Sequence, residues 1–190
     1  MIAIRQERKT DAAAREQLLD RAYGPARFTK CSARLREDRL PAHGLAFVAS
    51  ERGAIVGTVR LWDVSAGPGC RALMLGPLAV SPLHQNKGIG AKLMQQAIAT
   101  ARMRGHGAIL LVGDAPYYGR FGFSAEKTAS LSMPGPYRQD RLLALELNAG
   151  ALDAAQGVIA ATGRMAPKPA LGIAGAATSR AAKSPTPRAA

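Results

Sequence analysis

A glycine-rich turn between an apolar strand pattern and an amphipathic helix is the feature that most constrains this chain. Residues 78–91 read LAVSPLHQNKGIGA, so the apolar run ends and the helical pattern begins within a few residues. Gly88 and Gly90 lack the Cβ that would keep a ligand away from the main chain, and the first N–H groups of the following helix have no intrahelical partners. A phosphate there would meet those donors and the positive end of the helix dipole. The turn therefore predicts a ligand that carries phosphate groups.

Side chains before the turn favour the same ligand, and two common phosphate-binding loops are excluded. Gln85 and Asn86 can donate amide hydrogen bonds, and Lys87 adds a positive charge. A Walker A loop needs G-x-x-x-x-G-K-[ST], which does not occur. A dinucleotide-binding loop needs G-x-G-x-x-G, but Leu93 stands at the third glycine position and the turn lies mid-chain. What remains is a short Q-x-x-G-x-G form.

Length and charge favour one domain followed by a basic tail. A chain of 190 residues with 47% hydrophobic and 21% charged residues can bury one good core. Residues 166–190 hold four basic side chains and no acidic one, so they account for +4 of the net charge of +13. Their high Ala, Pro, Gly and Ser content predicts disorder. We therefore predict a domain over residues 1–165 and a disordered tail over residues 166–190.

Several protein classes find no support in the sequence. Residues 1–11 contain five charged side chains and no apolar run, which argues against a signal peptide, and no stretch reaches the roughly 18 apolar residues of a membrane span. Cys31 and Cys70 are isolated, so we expect no metal site and a reduced, cytoplasmic location. The tail charge suits either a solubilising extension or loose attachment to a polyanion. Specific nucleic-acid recognition is not expected, because no base-reading motif accompanies the charge.

Before the turn, the residue pattern predicts two helices and four strands. The helices are expected from residue 10 or 11 to about residue 23 and over residues 29–39. The strands are expected over residues 2–5, 45–50, 54–64 and 71–80, the middle two as an antiparallel hairpin. Gly76-Pro77 interrupts the last of these strands. Because proline supplies no ladder donor, a bulge or a parting of two strands is expected there.

The helix after the turn is the most clearly patterned element. Apolar side chains recur at helical spacing from Ile89 to Ala101, and polar side chains fill the other face. Gly105 and Gly107 end the helix, and the apolar run over residues 108–112 predicts a buried strand parallel to the strand before the helix. A final strand is expected over residues 142–147. This alternation predicts an α/β fold.

With two further motifs, the turn resembles the GNAT superfamily of N-acetyltransferases. That family carries [RQ]-x-x-G-x-[GA] at a strand-to-helix junction, here QNKGIG over residues 85–90, preceded by a strand end L-x-V-x-P at residues 78–82. An aromatic and G-F element follows, here YYGRFGF over residues 117–123. This last string is similar to that of the YhbS-like subgroup. The resemblance covers about residues 1–164.

The resemblance implies a single GNAT domain and acetyl-CoA as the donor. The fold is then a mixed, mostly antiparallel sheet flanked by helices, with a splayed central pair of parallel strands. The pantetheine arm inserts between those strands and pairs with the main chain at Leu78 and Val80, while the turn holds the pyrophosphate. The cofactor-binding residues implied in this way are Leu78, Val80, Gln85, Asn86, Lys87, Gly88, Ile89, Gly90 and Ala91, and no metal is implied.

The resemblance also implies a reaction, which is direct attack of an amine on the thioester without a covalent enzyme intermediate. Tyr118 stands four residues before the glycine of Gly122-Phe123, as the family's catalytic tyrosine does, and is the expected general acid. The alternative is that Tyr118 only packs against the cofactor. Tyr117 is expected to be a core aromatic residue without chemistry. Asp114 is expected to cap a short helix, and the alternative is a contact to the pantetheine.

The proton acceptor and the amine substrate stay open at this point. Glu37, Asp63 and His84 are candidate bases by chemical type alone, and an ordered water is the alternative. The resemblance implies that residues 23–30 and 128–140 bound the acceptor site. Their largely basic or neutral character favours an acidic or small neutral amine over a polycation.

Oligomeric state and turnover are also open. Either a small molecule or a protein would supply the amine, and the chain would act as a monomer or a homodimer. Two other function classes remain, which are a CoA-binding regulatory module without turnover and a nucleic-acid-binding protein that uses the tail.

Overall fold

The computed structural model describes residues 1–167. Almost all of the predicted tail over residues 166–190 therefore lies outside the described residues. The main sheet has seven strands, and six of them lie side by side in the order β1-β2-β3-β4-β5-β7. These six are β1 (Ile2–Gln6), β2 (Ala46–Glu51), β3 (Ala54–Ser65), β4 (Arg71–Val80), β5 (Ala108–Val112) and β7 (Leu142–Glu146).

Three strands of two residues each complete the described sheets. β9 (Ala160–Ala161) pairs with the end of β3, and β6 (Leu131–Ser132) pairs in parallel with β8 (Gly157–Val158) as a separate small sheet. In the main sheet all neighbours are antiparallel except β4 and β5, which are parallel. The predicted α/β fold with a mostly antiparallel sheet and one parallel pair is confirmed.

Helices α1 (Ala12–Tyr23) and α3 (Ile89–Met103) cover the two faces of the main sheet, because each buries an apolar side. Two shorter helices are α2 (Cys31–Arg34) and α4 (Ala115–Tyr118). On one face, α3 buries Leu93, Met94 and Ala97 in the same cluster as Val59 and Ile109 of the sheet. On the other face, Leu18 and Leu19 of α1 pack with residues of β2, β3 and β4. The sheet is therefore covered on both sides around β3 and β4.

The parallel pair of strands parts in the middle of β4. Only two positions pair β4 with β5, which are Leu73 with Ile109 and Met74 with Leu110. On the other side of β4, the register with β3 shifts opposite Gly76-Pro77, so that Leu75 faces Leu61 but Leu78 faces Val59. The indole Nε1 of Trp62 donates to the Gly76 carbonyl at 2.7 Å. The predicted bulge and parting at Gly76-Pro77 are both confirmed.

Two sequence predictions of secondary structure are wrong. The helix expected over residues 29–39 is reduced to the four residues of α2, because Arg39 pairs as an isolated bridge with Met165 and the Leu40 amide donates to the Arg164 carbonyl. That long-range pairing requires extended backbone where the pattern predicted helix. The strand over residues 142–147 is not the final one, since β8 and β9 follow it.

Candidate active site

The predicted glycine turn forms one wall of a surface cavity of about 500 Å³ at the start of α3, here called the α3 cavity. Gly88 is the N-cap of α3 and has a left-handed backbone with φ of 73°, and Asn86 is also left-handed with φ of 61°. Seven residues predicted to bind the cofactor line the cavity, namely Val80, Gln85, Asn86, Gly88, Ile89, Gly90 and Ala91. Lys87 is exposed nearby and is not part of the lining.

Two residues of the α3 cavity were not predicted as site residues. Tyr117 is half-buried and lines the cavity, so the expectation that it belongs to the core is wrong. A Cβ at Gly90 would lie 2.8 Å from the Tyr117 hydroxyl, which places that hydroxyl against the main chain of the turn. Arg120 also lines the cavity, with its guanidinium 4.5 Å from the centre of the Tyr117 ring. Its sequence signal is its place in YYGRFGF, two residues after Tyr118.

A second, narrower space lies where β4 parts from β5, and we call it the β4–β5 cleft. It encloses about 80 Å³, and its walls include Gly76, Leu78, Val112, Tyr23 and Tyr118. The predicted residues Leu78 and Tyr118 therefore share this cleft. The Tyr23 hydroxyl donates a hydrogen bond to the Leu78 carbonyl, so one main-chain acceptor of the cleft is already engaged by a side chain.

Tyr118 is fixed in the cleft by its neighbours. Its ring makes edge contacts with Tyr117 and Phe123, at centroid distances of 4.9 and 6.1 Å. Gly113 provides the space for the ring, since a Cβ there would lie 2.2 Å from Tyr118 Cε2. Burial raises the pKa of the Tyr118 phenol well above its usual value near 10, and the phenols of Tyr23 and Tyr117 raise it further. Tyr118 is therefore protonated across the physiological range.

A third space adjoins the cleft and is rich in arginine, and we call it the arginine cavity. It encloses about 420 Å³ between α1, α2 and β3. Arg27, Arg36 and Pro77 line both the arginine cavity and the β4–β5 cleft, so the two spaces are neighbours. The arginine cavity is lined by Glu16, Leu19, Arg27, Phe28, Ala33, Arg34, Arg36, Glu37, Arg60, Trp62 and Pro77.

Two of the arginines in this cavity are engaged in ion pairs. Arg27 bonds Glu16 at 2.6 Å and Asp20 at 2.9 Å, and Arg60 bonds Glu7 at 2.8 Å. Arg36 differs from them, because its Nε donates to the Ser32 carbonyl at 3.1 Å and no carboxylate within residues 1–167 pairs with it. Burial lowers the pKa of Arg36 to about 10, and the charge of Arg27 contributes in the same direction.

The three candidate bases fall in different places. Glu37 lines the arginine cavity, whereas Asp63 lies in β3 with its carbonyl bonded to the amides of Thr162 and Gly163. His84 lines the α3 cavity, and its Nε2 lies 3.1 Å from a carboxylate oxygen of Glu51. Of the three, only Glu37 borders the cavity that adjoins the cleft.

Two other sequence expectations concern the surroundings of the site. Asp114 occupies the N-cap position of α4, and its carbonyl accepts the amides of Tyr117 and Tyr118, but its side chain makes no capping bond. Of the two segments expected to bound the acceptor, residues 23–30 contribute Arg27 and Phe28 to the arginine cavity. Residues 128–140 contribute none of its lining.

The remaining features of the described region concern metals, thiols and membranes. Cys31 and Cys70 are buried and free. Within residues 1–167, no three His, Cys, Asp or Glu side chains are grouped as metal ligands would be. None of the helices in that range has the length and apolar composition of a membrane span.

Comparison with known proteins identifies the family. The model of the acetyltransferase (GNAT) domain matches residues 42–125, which include the turn, α3, β5 and the tyrosine segment. The uncharacterized N-acetyltransferase YjhQ of Escherichia coli K12 is 31% identical over 132 residues, which are 68% of this chain and 72% of YjhQ. The chain belongs to the GNAT acetyltransferase family. The expected family membership is confirmed.

Two solved GNAT structures share the fold of this N-acetyltransferase. The crystal structure of YhbS from Escherichia coli in complex with CoA superposes with a TM-score of 0.73, at 26% identity, over 85% of this chain and 89% of YhbS. A GNAT acetyltransferase from Brucella melitensis in complex with acetyl-CoA gives a TM-score of 0.63, at 30% identity, over 85% of this chain and 96% of its own. The GNAT fold is therefore present over most of the chain.

Proposed function

We propose that this GNAT protein transfers the acetyl group of acetyl-CoA to a primary amine by direct attack within a ternary complex. The observation that carries the proposal is the β4–β5 cleft, which holds the half-buried phenol of Tyr118 and lies between the parted parallel strands. The glycine turn that would take the phosphates follows directly on β4. The CoA and acetyl-CoA complexes of the two related structures support the choice of donor.

The residues around the turn fit the phosphates of CoA. Gly90 leaves open the approach to the main chain that a Cβ would fill, and the first residues of α3, whose N–H groups have no intrahelical partners, line the α3 cavity. We propose that residues 85–91 hold the pyrophosphate and that Arg120 adds a cation on the facing wall. Lys87 would act through its charge alone, because it does not line the cavity.

The β4–β5 cleft fits the thioester end of the donor. Acetyl-CoA supplies an acetyl group already activated as a thioester. Because β4 and β5 pair at only two positions, main-chain groups of Leu78 and Val80 are proposed to hydrogen-bond the pantetheine amides. Donors at this edge would also stabilise negative charge that develops on the carbonyl oxygen during attack.

Tyr118 is proposed to act on the leaving sulfur. A thiolate has a pKa of roughly 8.5 by analogy with cysteine. Since burial keeps the Tyr118 phenol protonated, it can donate a hydrogen bond to this sulfur as negative charge develops and then supply the proton. Glu37 is the proposed base for the amine, directly or through a water, because it borders the cavity next to the cleft.

Release of the free CoA thiol tests the proposal. The protein is mixed with acetyl-CoA and a panel of amines that includes amino acids, amino acid amides, polyamines and peptides. We expect thiol release with at least one member and a loss of about 10²- to 10⁴-fold in kcat for Tyr118→Phe. Tyr137→Phe, which removes a phenol outside the three cavities, is the matched control.

Two outcomes would overturn parts of this function. An unchanged kcat in Tyr118→Phe at saturating substrates would remove Tyr118 from the chemistry. CoA binding without turnover across the whole panel would favour the alternative, a regulatory CoA-binding module. The single domain over residues 1–165, the cytoplasmic location, the absence of a metal and the monomeric or dimeric state stay predictions.

A further inference from the structure

Arg36 is a cation that the described protein leaves without a counter-ion. Its side chain is half-buried, and only its Nε has a hydrogen-bond partner within residues 1–167, the carbonyl of Ser32 in the preceding turn. Burial is the largest cause that lowers the pKa of Arg36. The charges of Arg27 and Arg60, each paired with carboxylates, lower it further, whereas Glu16 and Tyr23 raise it. The remaining N–H groups of this half-buried guanidinium face the cavities and are free to form charge-assisted hydrogen bonds with an anion.

The location of Arg36 indicates which bound molecule could supply an anion to it. Arg36 lines both the β4–β5 cleft and the arginine cavity, whereas it takes no part in the α3 cavity where the phosphates of CoA would lie. An anion beside Arg36 would therefore belong to the molecule in the arginine cavity. In the proposed function that molecule is the amine acceptor.

The other residues that line the arginine cavity further restrict the chemical class of its ligand. Leu19, Phe28 and Trp62 offer apolar and aromatic surface beside the charges. Arg34 adds a second guanidinium that is absent from the ion pairs of residues 1–167, and its Cζ would lie 3.5 Å from a Cβ at Gly135. The planar fork of arginine matches a carboxylate with two parallel hydrogen bonds. A cation-rich wall disfavours polyamines.

We infer that the acceptor is a small amine that carries a carboxylate and an apolar group, with Arg36 holding the carboxylate. The inference rests on the proposed function and names the substrate class for the same site. In this arrangement Arg36 orients the acceptor so that its amine faces the β4–β5 cleft. Glu37, on the same wall, is available to the amine.

Matched acceptor pairs test the inference. Phenylalanine with phenylalaninamide, and leucine with leucinamide, differ mainly in the carboxylate. For each pair the ratio of kcat/KM between acid and amide is measured by thiol release in the wild type, Arg36→Gln, Arg36→Lys and Arg102→Gln. Comparing ratios between proteins cancels the different amine pKa values of acid and amide. Arg102 is an exposed arginine of α3 outside the three cavities and is the charge-matched control.

We expect Arg36→Gln to lower kcat/KM for the acids by about 10- to 100-fold and to change it for the amides by less than about threefold, as loss of a charge-assisted hydrogen bond predicts. Arg36→Lys should recover part of the loss, and Arg102→Gln should leave the ratio unchanged. Equal losses for acid and amide would overturn the inference, because Arg36 would then act on the reaction itself.

A measurement on the wild type alone covers the case in which Arg36→Gln does not fold. Hydrocinnamate and hydrocinnamamide lack the amine and are compared as inhibitors competitive with whichever amine is turned over. Stronger inhibition by the carboxylate supports the inference, and equal or weaker inhibition contradicts it. Turnover of amines, combined with inhibition that does not favour the carboxylate, would reject the inference but leave the proposed function standing. No turnover of any amine would reject both.

Discussion

The hydroxyl of Tyr23, the last residue of α1, donates a hydrogen bond to the main-chain carbonyl of Leu78 in β4. Both residues line the β4–β5 cleft, and Leu78 lies beyond the two positions at which β4 pairs with β5. The bond therefore gives a partner to a carbonyl that the interrupted strand pairing leaves available. The same carbonyl is one of those proposed to meet the pantetheine arm, and in that case the end of α1 would be coupled to donor binding.

Tyr23→Phe should make the protein less stable and more dependent on CoA. Loss of the bond to the Leu78 carbonyl should lower the free energy of unfolding by about 1 kcal/mol. If the pantetheine arm satisfies that carbonyl, bound CoA compensates for the loss, so the increase in Tm on adding CoA should be larger than in the wild type. Thermal unfolding with and without saturating CoA measures both effects.

Tyr137→Phe is the control for this experiment, because the Tyr137 hydroxyl also lies within hydrogen-bond distance of a main-chain carbonyl, that of Leu131 at 3.2 Å, and contacts the side-chain oxygen of Gln139. It should lower Tm while leaving the CoA-induced increase as in the wild type. An identical CoA effect in Tyr23→Phe and the wild type would argue that the donor does not use the Leu78 carbonyl.

Gly113→Ala should lower kcat by displacing Tyr118. The added Cβ would lie 2.2 Å from Tyr118 Cε2 and 3.0 Å from Leu111 Cδ1, so the ring must move. We expect a fall of at least about tenfold, because catalytic groups act only within a narrow range of positions. Gly119→Ala is the matched control, since a Cβ there meets no atom within 4 Å. Wild-type kcat in Gly113→Ala, with its fold intact, would show that the position of Tyr118 is unimportant.

Gly90→Ala should weaken binding of acetyl-CoA with little effect on kcat. A Cβ at Gly90 enters the α3 cavity 2.8 Å from the Tyr117 hydroxyl, while alanine favours the helix itself. We expect KM for acetyl-CoA to rise by about tenfold, which corresponds to about 1.4 kcal/mol. Steady-state kinetics in the Tyr117→Phe background show whether the Tyr117 oxygen or the turn itself causes the effect. An unchanged KM would contradict a pyrophosphate site at this turn.

Asp11 should make stability depend on pH in the acidic range. Its carboxylate accepts two hydrogen bonds from Arg5, at 2.6 and 2.9 Å, and one from the Arg8 amide at 2.7 Å. The Arg5 bonds are the largest cause that lowers the pKa of Asp11 to about 2, from 3.8. Because the folded pKa is the lower one, the stabilisation is complete above about pH 4 and is lost as pH falls through about 2.

Urea unfolding of the wild type and Asp11→Asn at pH 6 and pH 2.5 tests this dependence. We expect the variant to be less stable by about 1 kcal/mol at pH 6, a value kept small because the Arg5 side chain is partly exposed. The difference should shrink at pH 2.5. A difference of the same size at both values would mean that the carboxylate charge makes no contribution.

The elements that could be predicted from the sequence are those whose pattern is local. In α3 the apolar positions repeat at helical spacing beside a glycine turn, and β5 is an uninterrupted apolar run, so both were located within a residue or two. The helix expected over residues 29–39 failed because residues 164–166, far along the chain, pair with residues 38–40 at its end. β6, β8 and β9 have two residues each, too few to show a period.

Part of the candidate site could likewise be predicted from the sequence, and part could not. The glycine turn is contiguous in the sequence, and its chemistry follows from its own residues. The arginine cavity draws its walls from α1, α2, β3 and β4, and no local pattern states that Arg36 and Glu37 will border the same space as Trp62. Tyr117 was expected to fill the position of a core aromatic residue, yet it faces the α3 cavity.

The parting of β4 from β5 also has a mechanical consequence. Strands β1 to β4 form one hydrogen-bonded ribbon and β5 with β7 another, and only two residue pairs of β4 and β5 join them. A ligand that lay between the ribbons and hydrogen-bonded to both edges would take the place of the absent hydrogen bonds between β4 and β5. The donor would then stiffen the protein as well as react in it, and slower amide hydrogen exchange in β5 and β7 on binding CoA would record this.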